Sequence, residues 1–137
     1  MDNLLNLLLV FSDWSLLGLR LVFGAIFIAH GWPKIKNLKI NSQNFEMMGF
    51  KPGAFWGTIV AFVEFFGGLA IIAGLYTQIA ALLLAINMAV ATFWKIKRGQ
   101  KFIGGFELDL ILFVVGLTLA TLGAGIYSLS QFYHIGY

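Results

Sequence analysis

Four long apolar stretches with polar or aromatic punctuation between them set the pattern of this chain. The first covers about residues 15–32, with Trp14 and Trp32 as interfacial anchors and Pro33 placed after its end. The others cover about 54–76, 78–94 and 105–126. Each has roughly the 17–25 residues a helix needs to cross a hydrocarbon core. Their length, without strict apolar–polar alternation, predicts membrane-spanning helices and not barrel strands. Thr77-Gln78 is nearly the whole connection between the second and third stretches, which therefore form a tight antiparallel hairpin. The linker 33–53 is the longest polar segment. Within it, Ser42–Phe50 predicts a short surface helix capped by Ser42 or Asn44, with Phe45, Met48 and Phe50 on one side. Ahead of the first span, Leu4–Phe11 reads as an interfacial segment. Asp2 and the missing small-x-small site argue against a cleaved signal peptide.

Composition strengthens this picture. Hydrophobic residues make up 60% of the 137 positions and charged residues only 11%, and the mean hydropathy is +0.89. A soluble domain of this size needs far more charge to cover its surface, so the apolar excess faces lipid. The expected fold is all-α: a single domain over 1–137, built as an integral membrane four-transmembrane-helix bundle. No cysteine is present, which removes disulfides, thiolate metal sites and iron–sulfur ligation by this chain. The only two histidines, His30 and His134, fall on opposite sides of the membrane and cannot jointly ligate a haem or a metal. No metal site is expected.

The formal charge of +3 comes from residues placed for topology, not for nucleic acid. Of the nine Lys and Arg residues, only Arg20 lies outside two inter-span loops. Lys34, Lys36, Lys39 and Lys51 follow the first span; Lys95, Lys97, Arg98 and Lys101 follow the third. The positive-inside rule puts loops 33–53 and 95–104 in the cytoplasm and both termini outside.

A charge in hydrocarbon costs several kcal/mol unless it is paired or hydrated, so each intramembrane polar residue needs a reason. Arg20 lies about twelve residues before Trp32, roughly 18 Å from the cytoplasmic interface; Glu64 lies about ten residues into the second span, roughly 15 Å from it. Shared depth on adjacent spans predicts an Arg20–Glu64 ion pair, acting either as a structural clasp or as part of a polar path. Gly57, Ala61 and Gly68 fall at helical spacing around Glu64, with Gly67 beside them, and form a small-residue stripe for close helix packing. A second cluster lies nearer the cytoplasm: His30, Asn87, Glu107 and Asp109. Glu107 and Asp109 are two apart and point about 200° from one another, so only one can face the bundle centre. Arg20, His30, Glu64, Asn87, Glu107 and Asp109 are the candidate ligand-binding or proton-carrying residues. Packing, helix dipoles and interfacial anchoring explain several of them equally well.

These residues, in their order and spacing, resemble the DoxX family. The resemblance rests on Arg20, on His30-Gly31 followed by Lys34, and on Met48-Gly49-Phe50. It continues through Glu64 with Gly67-Gly68, Gly74-Leu75, Met88, and Gly104-Gly105 followed by Glu107. The tail from Gly123 to Leu129 is similar to that family's Gly-Pro-Gly-x-x-Ser-hydrophobic ending, with Ala124 at the proline. Ser130-Gln131 stands where an acidic residue is frequent, so the resemblance implies no carboxylate there. It does imply a prokaryotic plasma-membrane protein. Related DoxD proteins are membrane subunits of thiosulfate:quinone oxidoreductases, and some DoxX relatives associate with enzymes of oxidative or thiol stress.

Three functions follow as expectations. The first is a redox subunit binding a quinone or similar lipophilic molecule in a polar site of the bundle, with no covalent cofactor and no self-contained catalytic motif. The second is a small transporter or proton-conducting homo-oligomer. The third is a scaffold whose basic cytoplasmic loops recruit a soluble or membrane oxidoreductase partner.

Overall fold

In a computed structural model the chain is helical throughout its spans, and the structure describes residues 1–135, Asp2 through its backbone alone. Helix α1 is Asp2–Val10, α2 Ser12–Lys36, α3 Leu38–Met48, α4 Gly53–Ala73 and α5 Thr77–Lys97. A kinked turn, Phe102–Phe106, leads into α6 (Glu107–Leu122), and a short α7 (Leu129–Tyr133) closes the described chain. Among the described residues four helical segments are long and apolar enough to cross a membrane: α2, α4, α5, and the turn continued by α6. They alternate in direction, so both chain ends lie at one end of the bundle and both basic loops at the other.

Two expectations about the first loop need correction. Helix α2 does not stop before Pro33 but runs on to Lys36. Proline removes a single donor, the one that would reach the Ala29 carbonyl, and Ala29 lies on the exposed side of the helix. Helix α3 also begins earlier than expected. Asn37 caps it by accepting a bond from the Ile40 N–H at 3.3 Å, whereas the Ser42 hydroxyl donates to the Leu38 carbonyl inside the helix. Nor is α3 only a surface helix. It packs on the start of α4: Asn41 Nδ2 donates to the Gly57 carbonyl at 2.7 Å, and Glu46 accepts from the first N–H of α4, on Gly53, at 2.5 Å.

Glycine decides which helices approach closely. A methyl group at Gly68 would lie 2.7 Å from the Gly24 carbonyl, and one at Gly24 equally close to the Gly68 carbonyl. Helices α2 and α4 therefore touch backbone to backbone. Gly116 does the same for α6, where a methyl group would lie 3.2 Å from the Ala81 carbonyl of α5. Between these two tight pairs sit larger side chains, including Phe23, Phe27, Ile71, Leu84, Met88, Leu112 and Leu119, which form the core. The predicted stripe on α4 serves three neighbours: Gly57 faces α3, Gly67 faces Leu84 of α5, and Gly68 faces α2. Ala61 is fully buried among them.

Span ends differ from expectation by a few residues. Gly74, at φ +71°, terminates α4 in the left-handed region, and Gly123 ends α6 at Leu122 instead of 126. The segment freed by that early stop folds back over the end of the bundle, where it meets Arg20.

Candidate functional site

The predicted Arg20–Glu64 ion pair does not form. Gly24 lies against Gly68 in the antiparallel α2–α4 pair, so Arg20 falls beside Ile72 while Glu64 falls beside Ile28. About eight residues, roughly 12 Å along the axis, separate the two. The misplacement comes mainly from α2, which extends four residues past Trp32, about 6 Å that a depth counted from Trp32 leaves out.

Arg20, only 1% exposed, instead donates to four backbone carbonyls. Nε reaches Ile71 at 3.0 Å and Nη2 reaches Ile72 at 2.9 Å. Nη1 reaches Ala124 at 2.8 Å and Tyr127 at 2.7 Å. Ile71 and Ile72 belong to the last turn of α4, whose carbonyls lack intrahelical partners and carry the negative end of the helix dipole. A cation there is stabilised without any carboxylate. The same guanidinium pins the returning tail, which is held again by Ser130: its N–H and hydroxyl both donate to the Gly74 carbonyl, at 3.1 and 2.7 Å. Only glycine fits at residue 74, since a methyl group would sit 2.5 Å from Arg20 Nη2. Arg20 thus ties α2 to the end of α4 and to the tail, with partners other than the expected one.

Glu64 finds its cation elsewhere. It is 3% exposed, midway along α4. Its Oε2 accepts from Lys34 Nζ at 2.7 Å and its Oε1 accepts from Asn87 Nδ2 of α5 at 2.9 Å. Lys34 reads in the sequence as a loop charge, but helical side chains lean toward the N-terminus of their own helix. From the end of α2, that lean carries its ammonium back into the bundle to the level of Glu64. The acid is buried while Lys34 and Asn87 are each partly exposed. The triad joins three spans and can be reached from outside the core.

The remaining candidates do not join it. His30 and Glu107 are exposed, and their side chains make no hydrogen bond among the described residues. Asp109 is half-buried and pairs with Lys95 at 2.5 Å. Of Glu107 and Asp109, then, one faces a helix neighbour and one faces out, as their spacing requires. Among the described residues no group of acidic and histidine side chains could hold a metal ion.

Comparison with known proteins gives this arrangement a family. The DoxX family model matches residues 15–96, the segment that carries Arg20, Lys34, Glu64 and Asn87. The chain belongs to the DoxX family. It is 29% identical over 114 residues to "Putative oxidoreductase CatD" of Bacillus subtilis (strain 168), a match covering 83% of each chain. It is 32% identical over 122 residues to "Inner membrane protein YqjF" of Escherichia coli (strain K12), covering 88% of this chain and 92% of that one. No solved structure matches significantly. This DoxX chain is a multi-pass membrane protein, and α6 with the tail that clasps Arg20 lies beyond the matched segment.

Proposed function

We propose that this DoxX protein is the membrane subunit of a redox system, and that its Lys34–Glu64–Asn87 triad takes the head group of a quinone or a similar lipophilic carbonyl compound. The observation that supports it is a buried carboxylate held between an ammonium and an amide on three different spans. A quinone carbonyl needs donors, which Lys34 and Asn87 supply, and quinone–quinol interconversion moves two protons with two electrons, which needs a proton-exchanging group such as Glu64. The partial exposure of Lys34 and Asn87 gives such a head group a way to compete for Glu64's partners. Electrons would come from a partner oxidoreductase, recruited through the basic loops. The oxidoreductase name of one relative agrees with this reading. We place the protein in the plasma membrane with the basic loops cytoplasmic and both termini outside, on the positive-inside rule.

The test is a thermal-shift titration of the full chain in nanodiscs with short-chain ubiquinone and menaquinone analogues. The expected result is a stabilisation that Glu64→Gln and Asn87→Leu reduce. No stabilisation by either analogue, or one that Glu64→Gln leaves unchanged, overturns the proposal. Proton flux in proteoliposomes that needs Glu64 but not quinone would instead support conduction.

A further inference from the structure

The four spans do not close on one another equally. Helix α2 packs tightly on α4 and α5 on α6, and α4 meets α5, but α2 and α6 scarcely meet. Burial along their facing stripes shows where they part. On α2, Phe23 and Phe27 are 2% and 1% exposed. Two helical turns further on, the same face carries His30 and Lys34, and here His30 is exposed and Lys34 partly so. On α6, Leu119 and Leu112 are 0% and 6% exposed, whereas Leu108, one turn nearer the basic loops, is 44% exposed. Both walls open toward the basic loops.

The opening is more than the fraying of helix ends. His30 lies six residues inside the end of α2, about 9 Å, and the other contacts stay shut there. Gly31 lies against Phe65 of α4, and Ala61 of α4 and Thr92 of α5, nearer still to the basic loops, are buried. The gap also leads to the triad. Gly31 against Phe65 sets His30 level with Glu64, which is bonded to Asn87. Gly116 against Ala81 and Ala85 sets Leu112 level with Asn87, and Leu108 one turn beyond.

His30 stands at the threshold of this gap, four residues before Lys34 and on its face. Its side chain makes no hydrogen bond among the described residues, and a polar ring at that depth is costly unless something polar meets it. A 1,4-quinone carries carbonyls on opposite sides of its ring. Lys34 and Asn87 supply donors for the inner one, so the outer one needs a donor on the way out, where the imidazole stands. Resting on the reading of the triad as a head-group site, we infer that a 1,4-dicarbonyl head group enters sideways from the bilayer between α2 and α6. His30 is the donor to its outer carbonyl, and its tail leaves over Leu108.

Thermal-shift titration of the full chain in nanodiscs tests the contact, with a short-chain 1,4-quinone and its single-ketone analogue as probes. His30→Leu should weaken the quinone about fivefold, the loss of one hydrogen bond, and His30→Gln should restore most of that. The single-ketone analogue should bind alike in all three proteins. Equal weakening of both probes, or of neither, overturns the role of His30. A quinone with a diazirine at the start of its tail, photolysed on the unaltered chain, tests the route. Labels should fall within residues 26–30 and 108–112; labels gathered around Phe62, Phe66 and Leu83 on α4 and α5 overturn it. Absence of any stabilisation by the quinone would remove the reading of the triad and this inference together. Stabilisation that needs Glu64 but ignores His30, with labels elsewhere, would remove this inference alone.

Discussion

Replacing Arg20 by methionine tests the structural reading at its most exposed point. The side chain keeps roughly its length and apolar stem but loses all four donors. Hydrogen bonds to a charged group contribute about 1.5–3 kcal/mol each, so a plain sum would approach the whole stability of a small domain. The sum overstates the effect. The Ala124 and Tyr127 carbonyls lie in a tail at the end of the bundle and can turn to water, and the Ile71 carbonyl keeps a bond from the Gly74 N–H. What is left is chiefly the Ile72 carbonyl, the dipole interaction at the end of α4 and the undocked tail. A loss of about 3–5 kcal/mol follows. Arg20→Lys keeps the charge but presents its protons from one nitrogen, which cannot span both sides of the fork, and should lose about half as much. Equilibrium unfolding of the full chain in mixed micelles of rising dodecyl sulfate fraction measures both. The double variant Arg20→Met, Glu64→Gln should be additive within about 0.5 kcal/mol, because the two residues share no partner. An Arg20→Met variant within about 1 kcal/mol of the parent, or strong coupling to Glu64, would refute the reasoning.

The Lys34–Glu64 pair should respond asymmetrically to removal of either member. Lys34→Met strands a buried carboxylate and should destabilise by about 3 kcal/mol in the same unfolding assay. Glu64→Gln frees an ammonium that can extend to the interface and should cost clearly less. At the helix contacts, Gly68→Ala should lower the melting temperature measurably, at a cost of about 1–3 kcal/mol, because its methyl group meets the Gly24 carbonyl. Gly18→Ala, with nothing within 4 Å of the added carbon, should be neutral or slightly stabilising. If the basic loops recruit a partner, replacing Lys95, Lys97, Arg98 and Lys101 with Gln should abolish its co-purification; undiminished recovery would dismiss that role.

The spans were legible because bilayer crossing demands an apolar length that little else in a chain of this size produces, and their alternation followed from their number and short connections. The polar contacts were less so, for two separate reasons. Arg20 bonds to carbonyls, which every residue owns, so no side-chain identity at 71, 72, 124 or 127 marks them as partners. Lys34 was visible, yet its position past Trp32 and Pro33 placed it outside the span. Continuation of α2 through the proline and the backward lean of the lysine side chain together bring it to Glu64. That lean is a general property of helices and could have pointed to Lys34 from its spacing alone. The split between Glu107 and Asp109 was legible, since two residues on a helix cannot face one way.

The clasp at Arg20 also imposes an order on assembly. Its α4 carbonyls exist once the second span has been made, but Ala124 and Tyr127 leave the ribosome only after all four spans. Until then the two bonds of Nη1 have no protein acceptor and are left to water or head groups at the end of the bundle. A nascent or truncated chain that ends before Ala124 therefore leaves Arg20 uncovered, and arrival of the tail is what completes its bonds. The returning tail acts as a seal on the first span, and it can close only when all four spans are in place.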